Sequence, residues 1–170
     1  MKKTCKDHGD YRVLVWSDAK QYISWSEQSV HAVKARAGSR TKKGCPFDCG
    51  LCKEHEGGTC TAVLEITYQC DMECRVCFAD TTKARYNPPL EKVMKMYRTA
   101  YRNGGYCSIQ LSGGEPTQRE DLTDILEMGK ELGFPHILVN TNGVKIAQSI
   151  EYLQSLKAAG ADLIYLQFDG

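Results

Sequence analysis

The chain has 170 residues, of which 42% are hydrophobic, and a formal charge of +1 from 22 basic and 21 acidic side chains. That length fits one domain, or one small domain with part of another, and the hydrophobic content with a mean hydropathy of -0.43 is that of a globular protein and counts against a disordered chain. The balanced charge gives no pull toward nucleic acid or an anionic membrane.

Met1-Lys2-Lys3 is a charged start, but Thr4-Cys5-Lys6-Asp7-His8 follows where a secretory signal needs an apolar run. No stretch has the length of a membrane span, so the expected location is the cytoplasm. Residues 1–62 read as an irregular, Cys-rich N-terminal metal-binding region, within which Tyr11 to Trp16 alternates enough to be a strand. Residues 34–44 are small and basic and read as a solvated linker.

From residue 63 the rhythm becomes strand, loop, helix. Val63–Tyr68 is the first expected strand, and Leu90–Arg102 is a helix introduced by Pro88-Pro89 and closed by Gly104-Gly105. Tyr106–Leu111, His136–Asn140 and Leu163–Phe168 are the next three strands. Helices are expected over 121–132 and 146–159, each closed by a glycine, Gly133 and Gly160. Alternating β and α segments imply an α/β fold with a parallel sheet. In such folds the site lies at the carboxyl ends of the strands, where each distinctive motif here falls.

The chain has nine Cys, eight of them before residue 78. Clustered Cys in a reducing compartment read as metal ligands, whereas a secreted disulfide scaffold would not need the regular α/β second half. Cys70, Cys74 and Cys77 follow the first strand with the spacing CxxxCxxC and no local fourth thiol. Iron–sulfur clusters usually take four Cys; a cube held by three keeps one iron open. A zinc site with a distant fourth ligand is the alternative, although zinc ribbons favour paired CxxC knuckles. After the second strand comes Ser112-Gly113-Gly114-Glu115-Pro116-Thr117. Its glycines permit close backbone approach, and Glu115 either accepts from an ammonium group or fixes the loop. Thr141, Asn142, Gln167 and Asp169 are polar at strand ends, suited to ribose or substrate, or to capping the turns. Cys45, Cys49 and Cys52 repeat the CxxxCxxC spacing, with Cys60 or His55 as fourth ligand of an auxiliary iron–sulfur cluster or a zinc site. Cys5 and His8 make a CxxH, half of a four-ligand site for mononuclear iron or zinc: either a missing N-terminal stretch completes it or the pair is unmetallated. Cys107 and His136 read as structural, and His31 lies on no motif.

The Cys70–Cys77 loop and the Gly113–Pro116 strand end together resemble the core of the radical S-adenosylmethionine (radical SAM) enzymes. The resemblance implies a partial (β/α) barrel of the TIM type, a [4Fe-4S] cluster on Cys70, Cys74 and Cys77, and S-adenosylmethionine (SAM) chelated by the open iron. It also implies contacts from Gly113, Gly114, Glu115 and Pro116 to the SAM amino group. Many members carry an aromatic residue before the third Cys, near the adenine; here Val76 stands there and Phe78 follows Cys77. The order Cys5 to Gly9, Val15 to Ala19, Gly44 to Cys52 and Thr59-Cys60 is similar to the branch of tetraether lipid synthase and pterin methyltransferase-like proteins.

That resemblance implies reductive cleavage of SAM to a 5′-deoxyadenosyl radical. The radical would drive C–H functionalisation, by C–C coupling or methylation, of a lipid-like or other small substrate. It also implies an electron donor such as ferredoxin or flavodoxin. The family barrel has six βα units, of which residues 63–170 hold four; the expectation is therefore a piece of a longer protein with its last strand edge bare. The rival reading is a catalytically incompetent iron–sulfur or zinc-binding module, which would have no use for an intact Gly113–Pro116 strand end.

Overall fold

The computed structural model describes residues 1–27, 40–44, 47–48, 58–75, 77, 79 and 86–167. Backbone contacts divide the chain into two units, Met1–Ala32 and Val33–Gly170.

In the first unit β1 (Lys2–Cys5) and β2 (Gly9–Arg12) form an antiparallel hairpin with Cys5 opposite Gly9. Gly9 takes φ +80°, a left-handed conformation that glycine adopts without strain. Helix α1 (Ala19–Ser26) begins at Asp18, whose carboxylate accepts from the Lys20 and Gln21 amides. The strand expected over 11–16 is thus corrected: regular pairing ends at Arg12. The Asp18 cap and the helix after it went unread, because a helix of 8 residues with none buried shows no apolar stripe. Trp16, Tyr22 and Trp25 cluster instead on the surface, with the two indoles stacked at 6.0 Å.

The second unit is α/β. Strands β3 (Thr61–Thr67), β4 (Ser108–Gly113), β5 (Ile137–Thr141) and β6 (Leu163–Leu166) form one parallel sheet in sequential order. Between them run α2 (Leu90–Gly104), α3 (Leu122–Glu131), α4 (Val144–Gln148) and α5 (Ile150–Ala158). Alternation along the strands puts Leu64, Ile66, Ile109, Leu111, Ile137 and Val139 on one face. There they join Val93 and Tyr97 of α2, Leu122, Ile125 and Leu126 of α3, and Leu156 of α5 in one core. Each such aliphatic side chain contributes about 1.5–3 kcal/mol by leaving water. The Tyr97 hydroxyl enters this core because the Ile125 carbonyl accepts its proton at 3.0 Å. Cys107 is buried in the same core, as its reading as a small structural residue requires.

The helix expected over 146–159 is two helices. Ser149 adopts an extended φ of -147° and its hydroxyl accepts from the Tyr152 amide, ending α4 and capping α5. A serine can replace a helical bond with a side-chain one, and periodicity alone does not show it. The other boundaries move by a few residues: β3 begins at Thr61, and β4 extends through Ser112 to Gly113.

One irregularity aims the chain at the site. Register shifts between Glu65, opposite Ser112, and Thr67, opposite Gly113, so β3 carries an extra residue. This bulge leaves Ile66 and Thr67 both buried and turns the Thr67 hydroxyl inward. That hydroxyl donates to Asn87 Oδ1 at 2.6 Å and accepts from the Gln69 amide at 2.9 Å, directing the backbone into the Cys70 loop.

Candidate functional site

Three loops meet at the carboxyl ends of β3, β4 and β5. The Gly113–Pro116 segment is stitched onto the end of β3: the Gly114 amide donates to the Thr67 carbonyl at 2.8 Å and the Glu115 amide to the Gln69 carbonyl at 2.7 Å. A Cβ on Gly113 would lie 2.1 Å from the Thr67 carbonyl oxygen, and φ there is +130°. The close approach that demands this glycine is therefore to the neighbouring strand.

Glu115 is 2% exposed. Its carboxylate accepts from the Thr117 amide at 3.0 Å, the Thr117 hydroxyl at 2.7 Å, the Thr141 hydroxyl at 2.6 Å and the Asn142 amide at 2.7 Å. Of the two roles open to it, fixing the loop is the one these bonds perform. A buried carboxylate needs this many donors because nothing else offsets its lost hydration. Thr141 is equally committed, since its oxygen also accepts from the Gly143 amide. Asn142 accepts from the Val144 amide with its side-chain oxygen and donates from its side-chain nitrogen to Asp71 in the Cys loop, at 2.8 Å.

Of the three cysteines of that loop, Cys70 is half-buried and Cys74 and Cys77 are exposed. Burial pushes the Cys70 thiol up; the Met72 amide pulls it down, and Asp71, Glu115 and Cys74 raise it further. Three thiols on one short loop are the donor set of a soft metal centre. A cationic centre would supply the positive charge that Cys70 lacks. Among the described residues no three His, Cys, Asp or Glu side chains are gathered as ligands of a single metal ion. The loop thus fits by its donor chemistry, as thiols set along a loop rather than a closed single-ion cage.

The N-terminal unit brings Cys5 Sγ to 3.3 Å from His8 Nδ1 across the hairpin turn. Cys60 lies exposed just before β3. In the second CxxxCxxC segment, Asp48 accepts from the Lys42 amide at 2.6 Å and the Gly44 amide at 2.8 Å, and from the Lys43 amide between them. Cys45, Cys49, Cys52, His55, Val76, Phe78 and Asp169 lie outside the described residues, as does His31. The Gln167 amide donates to the Thr141 carbonyl at 2.9 Å.

Arg119 went unread in the sequence. It is 3% exposed and holds Asp121 in a fork, with contacts of 2.7 and 2.6 Å. It also donates to the Ile66 carbonyl at 2.6 Å and the Pro88 carbonyl at 2.8 Å. One guanidinium thus ties the end of β3 to the start of α2 and the start of α3. The spacing Arg119-x-Asp121 was the available signal. Lys145 and Tyr152 both reach the Thr117 carbonyl, at 2.8 and 3.4 Å. Burial, with the Glu115 charge, pushes the Tyr152 phenol up to about 12. On the sheet face opposite the core, Asn140 donates to the Ser112 hydroxyl at 3.3 Å; its buried Oδ1 has no partner among the described residues.

Residues 64–170 match the family described as the radical SAM superfamily. A 7,8-dihydro-6-hydroxymethylpterin dimethyltransferase of Methanocaldococcus jannaschii is 37% identical over all of this chain and 34% of its own length. A probable GTP 3',8-cyclase of Methanothermobacter thermautotrophicus is 35% identical over 62% of this chain and 34% of its own length. The chain therefore spans about a third of the length of these curated relatives. A crystal structure of BtrN in an open conformation shares the fold at a TM-score of 0.53 and 21% identity, over 68% of this chain and 53% of that one. Among the described residues no helix is long and apolar enough to cross a membrane.

Proposed function

The chain belongs to the radical SAM superfamily, and we propose that it serves an enzyme in which Cys70, Cys74 and Cys77 hold a [4Fe-4S] cluster facing SAM. Held by these three thiolates, the cluster would supply the electron for reductive cleavage of SAM, the chemistry that opens C–H bonds to radical functionalisation. The chain's own residues bind, orient and shield. Glu115 and Arg119 lock the strand ends that carry the ligand loop, and Gly113 and Gly114 bring their backbone against Thr67, where β3 ends before that loop. The observation that carries this reading is the Glu115 carboxylate, which joins Thr117 to the Thr141–Asn142 turn beside the Cys70 loop.

The reaction we favour is methylation at carbon of a fused, pterin-like ring, because the relative matching the whole chain is named a pterin dimethyltransferase. Cys45, Cys49 and Cys52 with Cys60 form an auxiliary cluster in this reading, Cys5 and His8 contribute to a mononuclear site, and a ferredoxin or flavodoxin delivers electrons in the cytoplasm.

The test is anaerobic reconstitution with iron and sulfide, followed by low-temperature electron paramagnetic resonance of the reduced protein with and without SAM. A cluster signal that changes on adding SAM is the expected result. A signal indifferent to SAM, or zinc in place of iron, overturns the proposal in favour of a metal-binding module.

A further inference from the structure

We propose that Asn142 is a positioning residue for the cluster-binding loop, acting through Asp71. The proposal rests on the reading of Cys70, Cys74 and Cys77 as cluster ligands and goes beyond it, to what holds those thiols in place.

The Asn142 side chain has little freedom. Its Oδ1 accepts from the Val144 amide at 3.0 Å, a local turn bond that decides which end of the amide faces outward. Its backbone amide donates to Glu115 Oε2 at 2.7 Å, inside the buried knot that joins β4 to β5. With both of these fixed, Nδ2 is aimed across the rim and donates to Asp71 Oδ1 at 2.8 Å. Asp71 directly follows Cys70 and stands between the first two cysteines of the loop. The bond spans 71 positions of sequence, linking an exposed loop to a rigid strand end.

The chemistry favours a neutral donor here. Asp71 puts a carboxylate next to Cys70, which would bind as a thiolate, and an amide N–H pairs with that carboxylate without competing as a metal ligand. A loop anchored before binding also loses less conformational freedom when its cysteines are ordered around a ligand. Asn142 therefore sets the direction in which Cys70 and the chain after it leave the sheet.

A swap of the pair tests this. Asn142→Asp faces two carboxylates and breaks the bond. Asp71→Asn keeps an acceptor for Asn142. The double variant, Asn142→Asp with Asp71→Asn, restores the bond with donor and acceptor exchanged. Two readouts are taken on each protein: alkylation rates of Cys70 and Cys74 by iodoacetamide in the metal-free, reduced chain, with Cys5 as internal reference, and iron bound after anaerobic reconstitution.

We expect Asn142→Asp to raise Cys70 alkylation relative to Cys5 and to lower bound iron, each by about fivefold, the scale of one lost solvent-exposed hydrogen bond. Asp71→Asn and the double variant should stay within about twofold of the parent in both, as a coupled pair requires. Parent-like alkylation in Asn142→Asp, or no rescue in the double variant, overturns the proposal. Should Asn142→Asp fail to fold, Asp71→Ala removes the acceptor from the exposed side alone, and unchanged Cys70 alkylation in that variant is equally fatal. If the parent chain loads no iron but the alkylation cycle behaves as expected, the cluster reading fails while the Asn142–Asp71 tether of the loop stands.

Discussion

The Thr141 hydroxyl donates to the Glu115 carboxylate at 2.6 Å, so the ends of two neighbouring strands are joined by a buried side chain beyond the last ladder hydrogen bonds. Glu115→Ala would leave the Thr117 amide and hydroxyl and the Thr141 hydroxyl without their acceptor in a dry place, and the half-buried Asn142 amide without its own. Burying unsatisfied donors of this kind costs about 3 kcal/mol in total, read as a lower urea midpoint with an unchanged m-value. Glu115→Gln keeps one acceptor oxygen but turns an N–H toward a donor, and should lose about half as much. A Glu115→Ala protein that unfolds at the parent midpoint would show that these bonds form equally well with water.

Arg119 predicts a charge-dependent effect. Lysine at this position keeps the charge but cannot span Asp121 and two carbonyls at once. Arg119→Lys should cost about 2 kcal/mol, the scale of leaving one of the buried Ile66 and Pro88 carbonyls without its donor. The Arg119 hydrogen bonds hold the Asp121 carboxyl below its ordinary value. A depressed carboxylate contributes stability that is fully present above its unfolded pKa of about 3.9. That contribution is lost as pH falls through the lower, folded value. Stability of the parent relative to Asp121→Asn should therefore be constant from neutral pH down to about pH 5 and shrink below it. Parallel pH profiles for the two proteins would exclude the linkage.

The sheet and its helices were legible because the core-facing positions in the middle of the strands are apolar: Ile109 with Leu111, and Ile137 with Val139, repeat at the spacing that a covered sheet requires. What escaped was fixed by single polar side chains rather than by periodicity. Ser149 splits a helix by offering its hydroxyl to Tyr152, and Asp18 starts one that buries nothing. Arg119 reads as an ordinary surface charge until the carbonyls of Ile66 and Pro88 are seen to converge on it. At the site, the motif residues were visible by type, but their partners were not. Glu115 and Asn142 find each other, and Asn142 finds Asp71, across loops that no local spacing relates.

Cys74→Ala separates the enzyme reading from a passive metal module. In protein that cleaves SAM, loss of one of three thiolates should abolish 5′-deoxyadenosine formation, because a cube with two protein ligands is not retained. The product is quantified by chromatography after dithionite reduction. Parent-level 5′-deoxyadenosine from this variant would remove Cys74 from the ligand set. Cys49→Ala, in the second CxxxCxxC segment, should lower total iron while SAM binding persists; unchanged iron would favour zinc there.

Two glycines with positive φ separate backbone strain from close approach. Gly105 ends α2 at φ +69° with no atom within 4 Å of where a Cβ would stand. Gly105→Ala should cost about 1 kcal/mol, the strain of a left-handed conformation alone. Gly113 has φ +130°, and its Cβ would meet the Thr67 carbonyl oxygen at 2.1 Å. Alanine there forces β4 away from β3 and breaks the Gly114–Thr67 bond that holds the ligand loop's entry. Gly113→Ala should therefore cost about 3 kcal/mol or more, combining strain with overpacking. It should also speed Cys70 alkylation, which Gly105→Ala leaves unchanged. Equal stability losses in the two variants would mean that the strand ends can part without consequence, and that the Gly113 position is set by conformation rather than by the neighbour it touches.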